Sequence, residues 1–489
     1  MYKLESGSHP PQSDLVRFVE QLNAHSELTE SEASSFFDPR RPVILTRAPG
    51  RLDVMGGIAD YSGALVLQMP ISEATFAAIQ LQDLRRVDLL SLQGDDREPL
   101  RFEMPLDISQ SGRDSAGYAE AKKLFESNPN DRWAAYAAGA FFVLKAELGI
   151  DFPAGARILI GSSVPQGKGV SSSAALEAAV MQAAAAAYDL KIEPEQLAIL
   201  CQKVENSIAG AACGLMDQMT SVCGKNGSLL ALLCQPADLQ NPVTVPEGIE
   251  FFGLDSGVAH TVSGSDYTCV RVGAFMGHRI IADLAGLSTL PGTRKGLVAL
   301  DDGAPVRYLA DISPSEFESK FASRLPDRIS GADFLSRYQG TVDEVTYVDP
   351  ERIYAVRSPT AHPIYEHFRT RVFRELLARP VSEETKSLLG EMMFQSHASY
   401  SACGLGSEGT DLLIELIREA GLSKGVYGGR ISGGGGGGTV AVLGRPGISE
   451  TIKDIADAYR QRTGHSPQVF RGSSDGAATF GYIVLAPGD

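Results

Sequence analysis

A glycine- and serine-rich segment in the first half of the chain has the composition of a phosphate-binding loop. Gly167 and Gly169 let the backbone approach a ligand closely, and the residues from Ser171 onward are strong helix formers. A helix N-terminus offers unpaired N–H groups and the positive end of the helix dipole, and both attract phosphate. The serine hydroxyls at 171–173 add donors for phosphate and ligands for a hard cation such as Mg²⁺. A nucleoside triphosphate is the first ligand that this segment suggests.

The segment is not a P-loop, because its spacing is different. A P-loop has a glycine, four residues and then Gly-Lys-Ser or Gly-Lys-Thr, whereas Lys168 is followed here by Gly169. Taken alone, the segment could also be a surface turn at the start of an ordinary helix. Lys168 would then be a solvated loop lysine.

Length, charge and composition describe an acidic globular protein with room for more than one domain. The 489 residues carry a net charge of −16, which argues against nucleic acid or an anionic membrane as a partner. The N-terminus has no apolar core, and the apolar stretch at 174–190 is interrupted by charges, so neither a signal peptide nor a membrane span is expected. The six cysteines form no Cys-x-x-Cys pair, which is typical of reduced thiols in a cytoplasmic protein.

The residue pattern predicts a mixture of helices and strands around the loop. The expected elements are a helix at 13–22, strands at 43–47 and 64–71, a hairpin of 76–82 and 87–92, a buried helix at 133–148, a strand at 156–160, a helix at 194–209, strands at 228–233 and 250–255, mostly helices over 271–422, strands at 425–431 and 439–443, a helix at 448–462 and two terminal strands. Two prolines at 242–246 suggest a boundary between domains at 43–245 and 246–489, after an N-terminal extension at 1–42.

Six consecutive glycines at 433–438 would normally form a flexible linker. Here they lie between two apolar strand-like segments. A tight loop in that position packs its backbone against another backbone or against a ligand.

Four windows of the chain, in this order, resemble the signature motifs of the GHMP small-molecule kinases. They are residues 47–61, the Gly-Lys-Gly-Val-Ser-Ser-Ser loop at 167–173, residues 201–218, and the glycine run with its flanks at 431–439. The first and third windows resemble the galactokinase branch. Shorter pieces that do so are Trp133-Ala-Ala-Tyr136, Ser265-Asp-Tyr267 and Gln395-Ser-His397. The resemblance covers about residues 43–485 and implies an α/β (α+β) two-domain GHMP kinase fold with the active site in the interdomain cleft.

The resemblance also implies ATP and Mg²⁺ as ligands and a set of site residues. Asp217 would face the attacking sugar hydroxyl, and Arg51 would lie beside Asp217 and the transferring phosphoryl group. The residues implied to bind ATP are Gly167, Lys168, Gly169, Val170, Ser171, Ser172, Ser173 and, near the adenine, Trp133. Those implied to hold the metal are Ser172 or Ser173 and Glu205. Those assigned to the sugar are Asp60, Gly57, Ile58, Gly214 and Tyr267.

Phosphoryl transfer fits these roles, because it needs positioning and charge neutralisation rather than covalent chemistry from the protein. Arg51 would stabilise charge on the transferring group. Asp217 could accept the proton of the attacking hydroxyl or only orient it. Without the family pattern, Asp217 would be a helix N-cap and Arg51 part of a surface ion pair.

The first motif departs from galactokinases at the sugar end. Galactokinases usually carry Gly-Glu-His-Thr-Asp-Tyr, and this chain has Gly-Gly-Ile-Ala-Asp-Tyr at 56–61. Losing the Glu and the His removes polar partners for the C6 hydroxyl of galactose, and a buried hydroxyl without a partner costs about 1–3 kcal/mol. L-Arabinopyranose has the galactose ring hydroxyls but lacks the C6 group. The same motif resembles the kinase domain of plant L-arabinokinases, which carry a large additional N-terminal domain.

The expected function is therefore transfer of the γ-phosphate of ATP to the anomeric hydroxyl of a galactose-like sugar, with L-arabinose first. The alternatives are a galactokinase acting on D-galactose and a non-catalytic sugar and ATP sensor, with galacturonate as a further substrate. The expected partners are a monosaccharide and ATP, bound by a monomer or homodimer. No role follows from the sequence for residues 284–368.

Overall fold

The computed structural model describes residues 2–3, 13–27, 36–93, 98–106, 115–258, 265–301 and 306–487. The helices are α1 (Ser13–Glu27), α2 (Ser115–Glu126), α3 (Ala135–Leu148), α4 (Ser172–Ala187), α5 (Pro194–Lys203), α6 (Met216–Cys223), α7 (Ser265–Leu284), α8 (Pro314–Glu316), α9 (Gly331–Tyr338), α10 (Arg357–Leu377), α11 (Glu383–Ala402), α12 (Glu408–Ala420), α13 (Ser449–Thr463) and α14 (Ala477–Phe480). The strands are β1 (Tyr2–Lys3), β2 (Val43–Met55), β3 (Leu65–Gln82), β4 (Arg86–Ser91), β5 (Leu100–Pro105), β6 (Gly155–Ser162), β7 (Ser228–Leu233), β8 (Asp238–Thr244), β9 (Glu250–Asp255), β10 (Thr289–Pro291), β11 (Gly296–Leu300), β12 (Arg328–Ser330), β13 (Gly340–Thr341), β14 (Ile353–Ala355), β15 (Val426–Ile431), β16 (Thr439–Gly444), β17 (Val469–Arg471) and β18 (Ile483–Pro487).

The first half of the chain is built on a nine-stranded mixed sheet with the order β1-β18-β2-β3-β6-β4-β5, and β7 and β8 extend it from β3. The 18-residue β3 pairs with β6 through one end and with β7 through the other. The alanine-rich α4 packs on β2 and β3, and the Thr46 hydroxyl donates to the Ala179 carbonyl at 2.7 Å. Small side chains on α4 allow this close approach, and the hydrogen bond holds the middle of the helix against the sheet.

The predicted hairpin of residues 76–82 and 87–92 is wrong. Both segments are strands, but β6 lies between them and pairs antiparallel with β3 and parallel with β4. The link at 83–85 has the length and charge of a hairpin turn. The largely buried β6 instead occupies the position between the two strands and pairs with each of them.

The second half is built on a four-stranded antiparallel sheet with the order β15-β16-β9-β17, covered by α11, α12 and α13. The six glycines connect β15 to β16 as a tight loop. The last strand, β18, returns to the first sheet and pairs with β2, and β1 pairs with β18. The domain limits 43–245 and 246–489 stay a prediction, and the return of β18 joins the end of the second segment to the sheet of the first.

A small unit at 285–356, of which residues 285–301 and 306–356 are described, packs against α7 and α10 and shares their hydrophobic core. It contains the three-stranded sheet β10-β11-β13, the β12–β14 pair, and short helical turns that bury Phe317 and Phe334. The predicted helix at 194–209 is helical throughout, but its last turn, Val204–Ala209, is a π-helix that carries Glu205. A widened turn of this kind often marks a functional position.

All six cysteines are free thiols. Within the described ranges, no helix combines the length and apolar character needed to cross a bilayer.

Candidate active site

The glycine-serine loop connects β6 to the N-terminus of α4. Gly167 and Gly169 have left-handed backbones, with φ of 69° and 70°, and so does Ser171, with φ of 59°. Ser171 is the N-cap residue of α4, but its side chain makes no capping hydrogen bond. Its hydroxyl donates instead to Asp217 Oδ2 at 2.6 Å. The first N–H groups of α4 are therefore left without a side-chain cap, as an anion site at a helix N-terminus requires.

Both halves of the protein hold this loop in place. The Arg51 backbone N–H donates to the Val170 carbonyl at 3.0 Å, and Arg51 Nη1 donates to the Gly169 carbonyl at 2.7 Å. From the second half, Thr439 Oγ1 donates to the Lys168 carbonyl at 2.7 Å. A Cβ on Gly438 would lie 3.0 Å from that carbonyl oxygen. The prediction that the glycine run packs its backbone against another backbone is confirmed.

Lys168 is paired with a buried carboxylate of the second half. Its Nζ lies 2.7 Å from Asp255 Oδ2, and the Asp255 side chain is only 2% exposed. His465 Nε2 lies 3.2 Å from the same oxygen, and the Gly257 N–H donates to Oδ1 at 2.9 Å. The lysine is thus not a solvated loop residue.

Arg51 and Asp217 form a bidentate ion pair beside the loop. Arg51 Nε and Nη2 donate to the two Asp217 oxygens at 2.8 and 3.0 Å. The Arg51 side chain is 3% exposed, so the pair is not on the surface. Asp217 is the second residue of α6, after the N-cap residue Leu215, so it is not an N-cap. This pair, Ser171 and the loop carbonyls form one connected polar cluster.

Two further carboxylates lie buried behind this cluster. Gln218 Nε2 donates to both Glu177 and Glu205. Burial, and then the charge of Asp217, raises the pKa of Glu205 to about 7, against a smaller opposing effect of a Ser173 hydrogen bond. Burial and Glu205 raise the pKa of Glu177 well above its usual range. In the parts of the chain that the structure describes, no group of three or more His, Cys, Asp or Glu side chains could hold a metal by itself.

Asp60 lies on the short helical turn Gly57–Ser62, and its carboxylate rests against Gly214. A Cβ on Gly214 would lie 1.7 Å from Asp60 Oδ2, so only glycine fits there. Asp60 is 3% exposed, and its Oδ1 accepts the Tyr61 N–H at 2.7 Å. Burial, and then the charge of Asp217, raises the pKa of Asp60 to about 7, although Arg271 opposes the shift.

Gly57 and Ile58 pack against Tyr400 of α11. A Cβ on Gly57, whose φ is +46°, would lie 1.6 Å from the Tyr400 hydroxyl, so no other residue fits there without a shift. The Ile58 N–H donates to that hydroxyl at 2.8 Å, and its side chain is 1% exposed in an apolar cluster with Tyr267. These two positions present no polar side chain at this end of the site.

Tyr267 and Trp133 lie at the margins of the arrangement. Tyr267 is 8% exposed and packs edge-on against the Tyr61 ring, with the centroids 6.3 Å apart. Trp133 is half-buried on the helical turn Pro129–Ala134, one turn before Tyr136. Burial, and then Glu205 and Glu177, raises the pKa of Tyr136 on α3, the helix that packs against the π-helical turn carrying Glu205. Neither Tyr267 nor Trp133 is among the residues in direct polar contact with the loop.

Two buried ion pairs near the site do not follow from the sequence motifs. Asp53 and Arg430 are fully buried and 2.9 Å apart, and Asp53 also accepts the Gly433 N–H at 3.1 Å. Arg271 and Asp343 are 2.8 Å apart behind the sugar motif. An arginine inside the apolar β15 was a visible sign of the first pair. Nothing in the local pattern marks Asp343.

Comparisons with known proteins agree on the family. Residues 135–225 match the model of the GHMP kinases N terminal domain, 374–460 match GHMP kinases C terminal, and 34–81 match the galactokinase galactose-binding signature. An L-arabinokinase of Arabidopsis thaliana is 42% identical over 97% of this chain, which spans 51% of that protein. A galactokinase of Chloroflexus aggregans is 29% identical over 87% of this chain and 90% of its own length.

The fold has also been seen in a solved structure. The crystal structure of Lactococcus lactis galactokinase complexed with galactose matches with a TM-score of 0.67 at 20% identity, covering 95% of this chain and 98% of the other. This chain spans about half the length of the L-arabinokinase that it resembles. The three family models point the same way: the chain belongs to the GHMP kinases, in their galactokinase branch.

Proposed function

We propose that the protein is an ATP-dependent sugar 1-kinase, with L-arabinose as its first substrate and the sugar 1-phosphate and ADP as products. The observation that carries this proposal is the Arg51–Asp217–Ser171 cluster beside an uncapped helix N-terminus. One side of the cluster offers N–H groups to phosphate. Asp60 rests against Gly214, three residues before Asp217 in the chain, and the sugar would bind there.

The reaction forms a bond between the anomeric oxygen of the sugar and the γ-phosphorus of ATP. It breaks the bond between the γ-phosphorus and the oxygen that bridges the β- and γ-phosphates. The backbone N–H groups of the loop and α4, with Lys168, would hold the ATP phosphates. Arg51 would stabilise charge on the transferring group. Asp217 would orient the attacking hydroxyl, and it would take the proton if it acts as the base.

The buried carboxylates fit a divalent cation. Glu177 and Glu205 lie together away from water, and their pKa values are raised. A bound cation would stabilise the ionised form of these carboxylates and lower their pKa values. Glu205 with Ser172 or Ser173 would hold Mg²⁺, which takes few protein ligands and relies on substrate phosphates for the rest. When bound, Mg²⁺ supplies neutralisation of the β- and γ-phosphate oxygens.

L-Arabinose is proposed over D-galactose because of residues 57 and 58. Gly57 must be glycine to pass Tyr400, and Ile58 is buried, so neither position can meet a C6 hydroxyl with a polar side chain. The relative with 42% identity is an L-arabinokinase, which supports the same choice. D-Galactose is the second candidate, favoured by the match to the galactokinase galactose-binding signature.

A coupled ADP-release assay with Mg·ATP tests the proposal across L-arabinose, D-galactose, D-galacturonate and D-glucuronate. We expect the highest kcat/KM on L-arabinose. A preference for D-galactose would overturn the assignment of L-arabinose as the substrate but not the assignment of kinase activity. ATP and sugar binding without ADP release would overturn the kinase and leave a sensor.

A further inference from the structure

Arg271 connects the sugar end of the site to the unit at 285–356. It lies on α7, one helical turn after Tyr267, and is 4% exposed. Its Nε and Nη2 donate to the Asp343 carboxylate at 2.9 and 2.8 Å, and its Nη1 donates to the Cys213 carbonyl at 3.4 Å. Arg271 is therefore held on all three nitrogens by groups of the protein, and it supports those neighbours in turn.

The loop that carries Asp343 is itself held firmly. Thr346 Oγ1 donates to Asp343 Oδ2 at 2.6 Å, and the Val345 N–H donates to Oδ1 at 3.2 Å. Arg294 Nη2 donates to the carbonyls of Asp343 and Thr346 at 3.1 and 2.7 Å. Burial alone would raise the pKa of Asp343, but the charge and hydrogen bonds of Arg271 keep it below the usual range. The carboxylate is thus a fixed, ionised anchor for Arg271.

On its other side, Arg271 contacts both segments that place Asp60. Its guanidinium carbon lies 5.3 Å from the centre of the Tyr61 ring, and Tyr61 is the neighbour of Asp60 in the chain. The Cys213 carbonyl that it holds precedes Gly214, the residue on which the Asp60 carboxylate rests. A shift of Arg271 would therefore move both supports of Asp60.

We propose that Asp343 and Arg271 are positioning residues for the sugar, so that the unit at 285–356 sets sugar affinity from behind Asp60. This inference rests on the proposed function, because it takes Asp60 and Gly214 as the sugar end. Loss of the Arg271–Asp343 pair should loosen Asp60 and Gly214 together and weaken sugar binding. It should leave the glycine-serine loop, and with it ATP binding, unchanged, because none of the hydrogen bonds described for Arg271 and Asp343 reaches that loop.

The test uses Asp343→Asn and the milder Thr346→Val, which removes only the hydroxyl bond to Asp343. Loss of one charge from a buried ion pair can destabilise the fold. If Asp343→Asn does not fold, sugar binding can still be measured in Thr346→Val. The control is Asp327→Asn, which breaks the exposed ion pair between Asp327 of the same unit and Arg357 of α10. Binding of L-arabinose, D-galactose and ATP is measured by calorimetry, and KM and kcat by ADP release.

We expect Asp343→Asn to raise the Kd and KM for the sugar by about tenfold and Thr346→Val to raise them by a smaller factor in the same direction. The constants for ATP and all constants of Asp327→Asn should stay within about twofold of the wild type. Equal weakening of sugar and ATP, or an unchanged sugar Kd in both variants, would overturn the positioning role. A wild-type protein that binds sugar without releasing ADP would overturn the proposed function. The positioning role of Asp343 would still be tested by the ratio of the variant Kd to the wild-type Kd for the sugar. A wild type that binds no sugar would overturn both.

Discussion

The phosphate end and the sugar end of the candidate site are built in different ways. At the phosphate end, one continuous segment at 167–173 supplies backbone groups at a helix N-terminus, and its neighbours mainly hold its carbonyls. At the sugar end, Asp60, Gly214 and Arg271 come from three distant segments. The Asp60 carboxylate rests on Gly214, and Arg271 contacts their chain neighbours Tyr61 and Cys213. The first arrangement depends on local chain geometry, whereas the second depends on tertiary packing.

This difference has a consequence for robustness. Backbone N–H groups remain when a side chain is changed, so the phosphate end should tolerate most single substitutions that keep its glycines. The sugar end contains buried charges and a glycine without room for a Cβ, so single substitutions there should strongly weaken sugar binding. The exception at the phosphate end is the Arg51–Asp217 pair, because both side chains would lie beside the phosphoryl group during its transfer.

Replacing Asp217 with Asn tests that exception and should have the largest effect. The change removes the charge that holds Arg51 and, in the proposed function, the carboxylate that would meet the sugar hydroxyl. We expect kcat to fall about 10³-fold, within the range for losing an acid–base group or a charge-stabilising donor. The assay is ADP release at saturating sugar and ATP. Calorimetric ATP binding within a few-fold of the wild type is the control, and wild-type kcat in the variant would contradict the assigned role.

Replacing Gly57 with Ala tests how strictly the sugar end is packed. The new Cβ would lie 1.6 Å from the Tyr400 hydroxyl in a left-handed backbone, so we expect a loss of about 3 kcal/mol or more in unfolding free energy. Gly227→Ala is the matched control, because Gly227 has φ of +70° but nothing within 4 Å of its Cβ position. Urea unfolding of both variants isolates the steric term. Equal losses of unfolding free energy in the two variants would show that the Tyr400 side chain moves aside for the new Cβ at little cost.

The same contact explains which part of the site the sequence could predict. The glycine-serine loop, Arg51 and Asp217 fall in short motifs whose chemistry is local, and they come together as the motifs suggest. Gly57 and Ile58 were visible as departures from the galactokinase pattern, but Tyr400, which dictates the glycine, lies on α11. Asp343 carries no local signal, because its partner Arg271 lies on α7 and meets it only through tertiary packing. The insertion of β6 between β3 and β4 was missed for the same reason.

Asp60→Asn tests the cost of keeping a carboxylate buried at the sugar end. The pKa of Asp60 is raised from 3.8 to about 7 in the folded protein. The folded state therefore holds this proton more tightly, and the resulting stability is full below pH 3.8 and is lost as pH rises towards 7. Each pH unit in that window changes stability by up to about 1.4 kcal/mol.

We expect Asp60→Asn to be more stable than the wild type at pH 8 and to lose less stability between pH 5 and pH 8. Urea unfolding at several pH values in that range measures the difference in stability. The same substitution should also weaken sugar binding. Parallel pH profiles for the two proteins would mean that Asp60 is ionised at little cost, and the sugar end would then be better solvated than its burial indicates.

Lys168→Met should have the smallest effect and sharpens the comparison most directly. Lys168 is the charged side chain of the glycine-serine loop, but it is already committed to Asp255 at 2.7 Å, so ATP must share or displace that buried partner. The loop backbone would still bind phosphate after the substitution. We therefore expect KM for ATP to rise about tenfold or less, equivalent to about 1.4 kcal/mol, with KM for the sugar unchanged. Lys225→Met, at an exposed position, is the control. A rise of a thousandfold would mean that the phosphate end depends on one side chain as strongly as the sugar end does, and the contrast between the two ends would fail.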